Sequence, residues 1–138
     1  MKKILDKKTI KGFTCGAFDL LHAGHLLMLE EVRGKCDFLI VGLHTNPQID
    51  RKEKNKPIES IKERKIRLKG CKYVDQVIIY RTEKDLYDLL KKLKPDVRFL
   101  GIDHKGKPFT GDDLPIKIMY NSRSHNYSSS NLLKRIRR

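Results

Sequence analysis

Two histidines three residues apart, His22 and His25, bracket a glycine in the stretch Gly16-Ala17-Phe18-Asp19-Leu20-Leu21-His22-Ala23-Gly24-His25. At the start of a helix such a pair shares one face, with Cβ atoms about 5–6 Å apart. Gly24 between them removes the side chain that would keep a phosphate off the backbone. Free N–H groups and the positive end of the helix dipole favour an anion there. Two imidazole donors above that helix start would suit the charge that builds on a phosphoryl group during in-line displacement. The spacing alone fits equally well a pair packed beneath a loop, or a metal held at i,i+3.

Other residues could join them. Ser128, Ser129 and Ser130 open the last helical stretch, with Arg123 just upstream; hydroxyls and free amides at a helix start grip phosphate, or simply cap the helix. Arg51-Lys52-Glu53-Lys54-Asn55-Lys56 is a charge run of the sort that usually forms a solvated face. Asp103, after Gly101, fits a turn.

The elements that must position these groups alternate along the chain. Thr9–Thr14 leans to strand, and Leu20–Lys35 has helical spacing with Gly34 as a stop. Residues 37–43 are nearly all apolar, as a strand covered on both faces must be. Ser60 and Glu63 form a capping box for a helix through Lys69, closed by Gly70. A strand over 74–80, a helix over 83–93, strands over 96–100 and 115–120, and a helix over 128–138 complete the order. Such alternation with short connections predicts right-handed βαβ units: an α/β, Rossmann-like, doubly wound domain with a mainly parallel sheet of five strands. Ligands in such sheets sit beyond the carboxyl ends of the strands, where the histidine pair and the serines fall.

The chain has 138 residues, so one domain is expected, with residues 1–8 as a loose basic extension. No apolar run approaches the roughly 20 residues of a membrane span, and the start is interrupted by charge too early for a signal peptide. Cys15, Cys36 and Cys71 are odd in number and far apart, which argues against a disulfide framework or zinc knuckle and for a reducing cytoplasm. The net charge of +14 points to anions. It is local: residues 1–11 carry +4, 51–72 carry +7 and 123–138 carry +5, leaving −2 over the remainder. Aromatic side chains among the basic segments are sparse, so a stacking platform for RNA is not evident, and an RNA-binding module is the remote alternative.

Residues 16–25 resemble the G-T-F-D-L-L-H-x-G-H signature of the cytidylyltransferase-like nucleotidyltransferases. Lys72-Tyr73-Val74-Asp75-Gln76-Val77-Ile78 is similar to that family's R-Y-V-D-E-V-I strand, and residues 94–103 to its x-x-D-x-x-x-x-G-x-D segment. Arg123-Ser124-His125-Asn126-Tyr127-Ser128-Ser129-Ser130 stands in the place of R-T-E-G-I-S-T-T. Four motifs in order over residues 9–136 bring the chain nearest to glycerol-3-phosphate cytidylyltransferase.

The resemblance implies transfer of CMP from CTP to a small phosphorylated alcohol, sn-glycerol 3-phosphate first, with release of pyrophosphate. His22 and His25 would then stabilise the pentavalent α-phosphate. Ala17 and Phe18 would give backbone contacts to the nucleotide beside Gly24, and Asp103 would lie near base and ribose. Arg123, Ser128, Ser129 and Ser130 would hold the β- and γ-phosphates. Lys54 would reach the nucleotide phosphates, Lys52 the acceptor phosphate, and Arg64 would bind the acceptor or support this loop or the triphosphate. The nucleophile is the acceptor's own phosphate oxygen, so alignment and charge neutralisation suffice. Mg²⁺ would ride on the triphosphate rather than on a protein cage, and phosphate oxygens would favour charged histidines. A homodimer is implied as well.

Departures concentrate near the acceptor. Lys72 replaces an arginine, and Glu83 and Leu86 fall where the glycerol-phosphate enzymes carry Trp and an acceptor-binding Lys. Phosphocholine, phosphoethanolamine, or ATP with FMN or another acceptor are therefore the alternatives.

Overall fold

A computed structural model describes residues 8–123 and 125–137. Most of the expected basic extension lies outside these residues. Lys8, its last member, pairs with Asp96 at 2.8 Å.

The elements are β1 (Lys11–Gly16), α1 (Ala23–Arg33), β2 (Phe38–His44), α2 (Ile61–Lys69), β3 (Gln76–Tyr80), α3 (Glu83–Leu93), β4 (Val97–Gly101), β5 (Lys117–Asn121) and α4 (Ser129–Arg137), with single 3₁₀ turns at Pro47–Ile49 and Ile102–His104. All strand pairings are parallel, in the order β3-β2-β1-β4-β5, so the chain winds outward from β1 in both directions. The expected doubly wound α/β sheet is what forms.

Alternation along the central strands splits the core between two faces. Leu39, Val41 and Leu43 of β2 pack with Val97 and Phe99 of β4 under Leu29 and Val32 of α1 and Leu68 of α2. Phe13 and Ile40 point the other way, to Leu86 and Leu90 of α3. Helix starts follow local chemistry. Ser60 and Glu63 form the expected capping box on α2, and Thr82 with Asp85 forms another on α3.

Two differences have physical causes. Instead of starting near Leu20, α1 starts at Ala23, because Phe18 and Leu20 adopt left-handed φ values of 47° and 50° and turn the chain out of β1 before a helix can begin. β3 begins at Gln76, because Asp75 is spent elsewhere: its carboxylate accepts the Leu39 N–H at 2.8 Å and pairs with Arg33 at 2.9 Å. Asp37 and Asp96 act alike, accepting the N–H groups of Ile10 and Lys11 at 2.8 Å each, so three aspartates close the amino end of the sheet. No helix among the described residues is long and apolar enough to cross a membrane.

Candidate active site

The carboxyl end of the sheet is shaped by a turn the chain would not adopt unaided. Leu20, in the left-handed region, donates its N–H to Glu59 at 3.0 Å, and the Asp19 carboxylate accepts from Ile58 and Glu59 N–H at 2.7 and 2.9 Å. Arg64, only 2% exposed, donates to the carbonyls of Ala17, His44, Thr45 and Glu59 at 3.0, 2.6, 2.6 and 3.1 Å. One guanidinium thus ties the ends of β1 and β2 to the start of α2. Burial lowers its pKa, while Asp19 and Glu59 favour its charge.

On this scaffold His22 is the N-cap of α1. Its Nδ1 accepts the Gly24 N–H at 3.0 Å, and Nδ1 of His25 accepts the His22 N–H at 3.2 Å, a capping box made of two imidazoles. Because each Nδ1 is an acceptor, the proton of each neutral ring sits on Nε2, leaving two N–H donors to offer a ligand. The rings stack at 3.9 Å between centroids, 25° apart. Burial lowers the His25 pKa to about 4, with nearby His22 lowering and Asp19 raising it. His22 is lowered too, by burial and then by electrostatic repulsion from its neighbours His125 and Arg123. The pair is therefore neutral near pH 7 before any phosphate arrives, and the charged form expected from the sequence has to be brought about by the ligand.

Gly24 is fixed by space as well as by phosphate access. A Cβ there would lie 2.9 Å from Cε1 of both His22 and His125.

Opposite the pair stands the segment leading into α4. Arg123 donates to the Tyr127 carbonyl at 3.0 Å, and His125 accepts the Tyr127 N–H on Nδ1 at 3.1 Å. Ser128 caps α4 by accepting the Asn131 N–H at 3.1 Å, and Ser129 donates its hydroxyl to the Asp19 carbonyl at 3.3 Å. Two helix N-termini thereby converge on one cavity of about 270 Å³, lined by His22, Gly24, His25, Asp103, Arg123, Ser128 and Ser129 among others. A second groove of about 500 Å³, running to Lys134 and Arg135, shares His22, Tyr127 and Ser128 with it. The pair of spaces suits an extended ligand with several anionic groups.

Not every expected residue lies there. Phe18 is buried, with its ring 5.4 Å from that of His25, and supports it instead of lining the cavity. The Ala17 carbonyl is occupied by Arg64. Ser130 falls outside both spaces, and Lys52 and Lys54 occupy an exposed turn away from them. Arg64 takes the supporting role expected of it and not a place in the cavity lining: 2% exposed, it gives four of its five N–H groups to backbone carbonyls. Sequence reading missed Asn121, Ser122, His125 and Tyr127 in the lining, and Asp19 and Glu59 beneath it. His125 and Tyr127 stood inside a quoted motif; Glu59 carried no local signal.

Residues 13–135 match the family described as cytidylyltransferase-like. Over 140 residues the chain is 36% identical to a bifunctional protein HldE of Campylobacter concisus, covering 99% of this chain and 29% of that protein. The bifunctional protein HldE of Campylobacter curvus is 37% identical over 133 residues, 96% of this chain and 28% of the relative. The chain thus spans under a third of the length of these curated relatives. A lipopolysaccharide core biosynthesis protein from Thermoplasma volcanium superposes with a TM-score of 0.69 at 27% identity, covering 87% of this chain and all of that one. Pantoate-beta-alanine ligase from Francisella tularensis, at TM-score 0.57 and 17% identity over 92% of this chain, shares the fold.

Proposed function

The chain belongs to the cytidylyltransferase-like family and is a nucleotidyltransferase, and we propose that it transfers a nucleotidyl group from a nucleoside triphosphate to the phosphate of a small phosphorylated sugar or polyol. The observation that carries this reading is the paired-imidazole cap of α1 facing the start of α4 across one cavity. An oxygen of the acceptor phosphate attacks the α-phosphorus. The bond to the β-phosphate bridging oxygen breaks, and pyrophosphate departs with that electron pair. Nε2–H of His22 and His25, with the α1 N-terminus, meets the charge growing on the α-phosphate oxygens. Arg123 and the first turn of α4 hold the leaving pyrophosphate. Lys52 and Lys54 reach the phosphates by movement of their exposed turn.

A divalent ion fits this site only as part of the substrate. Among the described lining residues Asp103 is the single carboxylate, too few for a protein cage, so Mg²⁺ would be held by phosphate oxygens and water. When bound it neutralises charge on the triphosphate.

The acceptor class rests on the relatives. Nearness to the glycerol-phosphate enzymes implies CTP and sn-glycerol 3-phosphate, whereas the 36–37% identities above are to HldE proteins, and the structure at 27% identity is that of a lipopolysaccharide core biosynthesis protein. A phosphorylated sugar therefore takes precedence over glycerol 3-phosphate. ATP becomes the second reading for the donor, because the ground for CTP was that sub-family. Pyrophosphate release with each of the four NTPs against phosphorylated sugars and polyols tests the proposal. Turnover with one donor and a sugar phosphate is expected; no release with any pair overturns it.

A further inference from the structure

Three ligand-bearing side chains meet away from the cavity just described, at the carboxyl ends of β2 and β3. A ring nitrogen of His44, the last residue of β2, and carboxylate oxygens of Asp50 and Glu83 all lie within 4.8 Å of one another. They come from three separate segments: a strand end, the residue after the 3₁₀ turn, and the first residue of α3.

Each is held in place by bonds that leave ligand capacity free. His44 is 5% exposed and stacks on Tyr80 at 4.6 Å between centroids. Its Nε2 sits 3.0 Å from the Arg81 carbonyl, which can only accept, so the proton is on Nε2 and the lone pair on Nδ1. A metal-ligating imidazole commonly anchors its other N–H on an acceptor in this way, so Nδ1 is the nitrogen such a site would use. Asp50 accepts the Glu83 N–H on Oδ2 at 2.7 Å, and Glu83 accepts the Thr110 hydroxyl on Oε1 at 2.6 Å. The second oxygen of each carboxylate stays available. Arg51 approaches Glu83 only to 4.0 Å from an exposed position, a weak and displaceable counter-charge.

We propose that His44, Asp50 and Glu83 form a binding site for a first-row divalent metal ion such as Zn²⁺ or Co²⁺. One imidazole and two carboxylates suit a borderline cation, not Mg²⁺, which prefers oxygen ligands and keeps its water. Occupied, the site ties Asp50 to α3, and with it the turn that carries Lys52 and Lys54.

The test is metal binding itself, with Co²⁺ and Zn²⁺ titrated into EDTA-treated full-length chain and followed by visible absorption and calorimetry. Asp50→Asn and Glu83→Gln keep the hydrogen bonds to Glu83 N–H and Thr110 and so preserve the fold, which circular dichroism checks. Each is expected to weaken a saturable 1:1 site at least tenfold, and millimolar Mg²⁺ is expected not to compete. The histidines of the nucleotide cavity provide the control. Binding that survives both carboxamide variants, that disappears in His25→Ala instead, or that never saturates overturns the assignment.

Discussion

His22 donates its backbone N–H to Nδ1 of His25 across 3.2 Å, and the two rings stack 3.9 Å apart. A second proton on His25 would remove that acceptor, and a second proton on His22 would remove the acceptor for Gly24 N–H. Structural and chemical duties are therefore divided between the nitrogens of each ring, Nδ1 for the helix cap and Nε2 for the ligand.

This division can be separated by substitution. Asn places an acceptor near the position of Nδ1 but has nothing at Nε2, so His25→Asn is expected to keep the stability of the parent and lose on the order of 10²-fold in kcat. His25→Gln, with a donor near Nε2 and no cap, is expected to retain more turnover and lose about 1 kcal/mol of stability. Urea titrations and steady-state pyrophosphate release check the pair. Equal losses in both assays for both variants would refute the division.

Acid should loosen the fold through the same residue. The His25 pKa is about 4 in the folded chain against about 6.5 when unfolded, so between these values the unfolded state binds more protons and stability falls as pH falls. The loss begins below about pH 6.5 and is complete near pH 4. His25→Asn, having no imidazole, should show a flatter urea-midpoint curve across that window. Parallel curves for the two proteins would exclude His25 as the source.

Arg64 offers a test of scaffold against ligand. Lys keeps the charge but lacks the planar fork that satisfies four carbonyls. Arg64→Lys is expected to cost about 2–3 kcal/mol in urea unfolding, with the acceptor KM of the folded fraction near that of the parent. A tenfold rise in KM at unchanged stability would restore the acceptor role.

At Gly24 two effects oppose each other. Ala in a helix gains about 1 kcal/mol over Gly, whereas its Cβ would press on His22 and His125 at 2.9 Å. Net stability should change little, while turnover should fall at least tenfold because the rings must shift. A Gly24→Ala enzyme with parental kcat would show that the rings give way freely.

Elements were legible wherever the signal was local. The Ser60–Glu63 box lies within one helical turn, and β2 announces itself as a run covered on both faces. The histidine pair, Arg123 and two of the three serines were legible as members of one cavity through their motifs. What escaped depends on contacts between distant segments. Glu59 reaches Leu20 across 39 residues, and Arg64 reaches Ala17 across 47, so neither leaves a periodic trace. Arg64 looked like a ligand because an arginine in a basic helix does not reveal which way its guanidinium turns.

The aspartates that close the amino end of the sheet give the molecule a wall opposite its mouth. Tolerance to substitution should then be polarised along every strand. In a survey scoring many variants for both abundance and turnover, changes at Asp37, Asp75 and Asp96 would move abundance alone, and changes around His22 and Arg123 would move turnover first. The strand axis becomes a ruler on which persistence in the cell is read at one end and catalysis at the other.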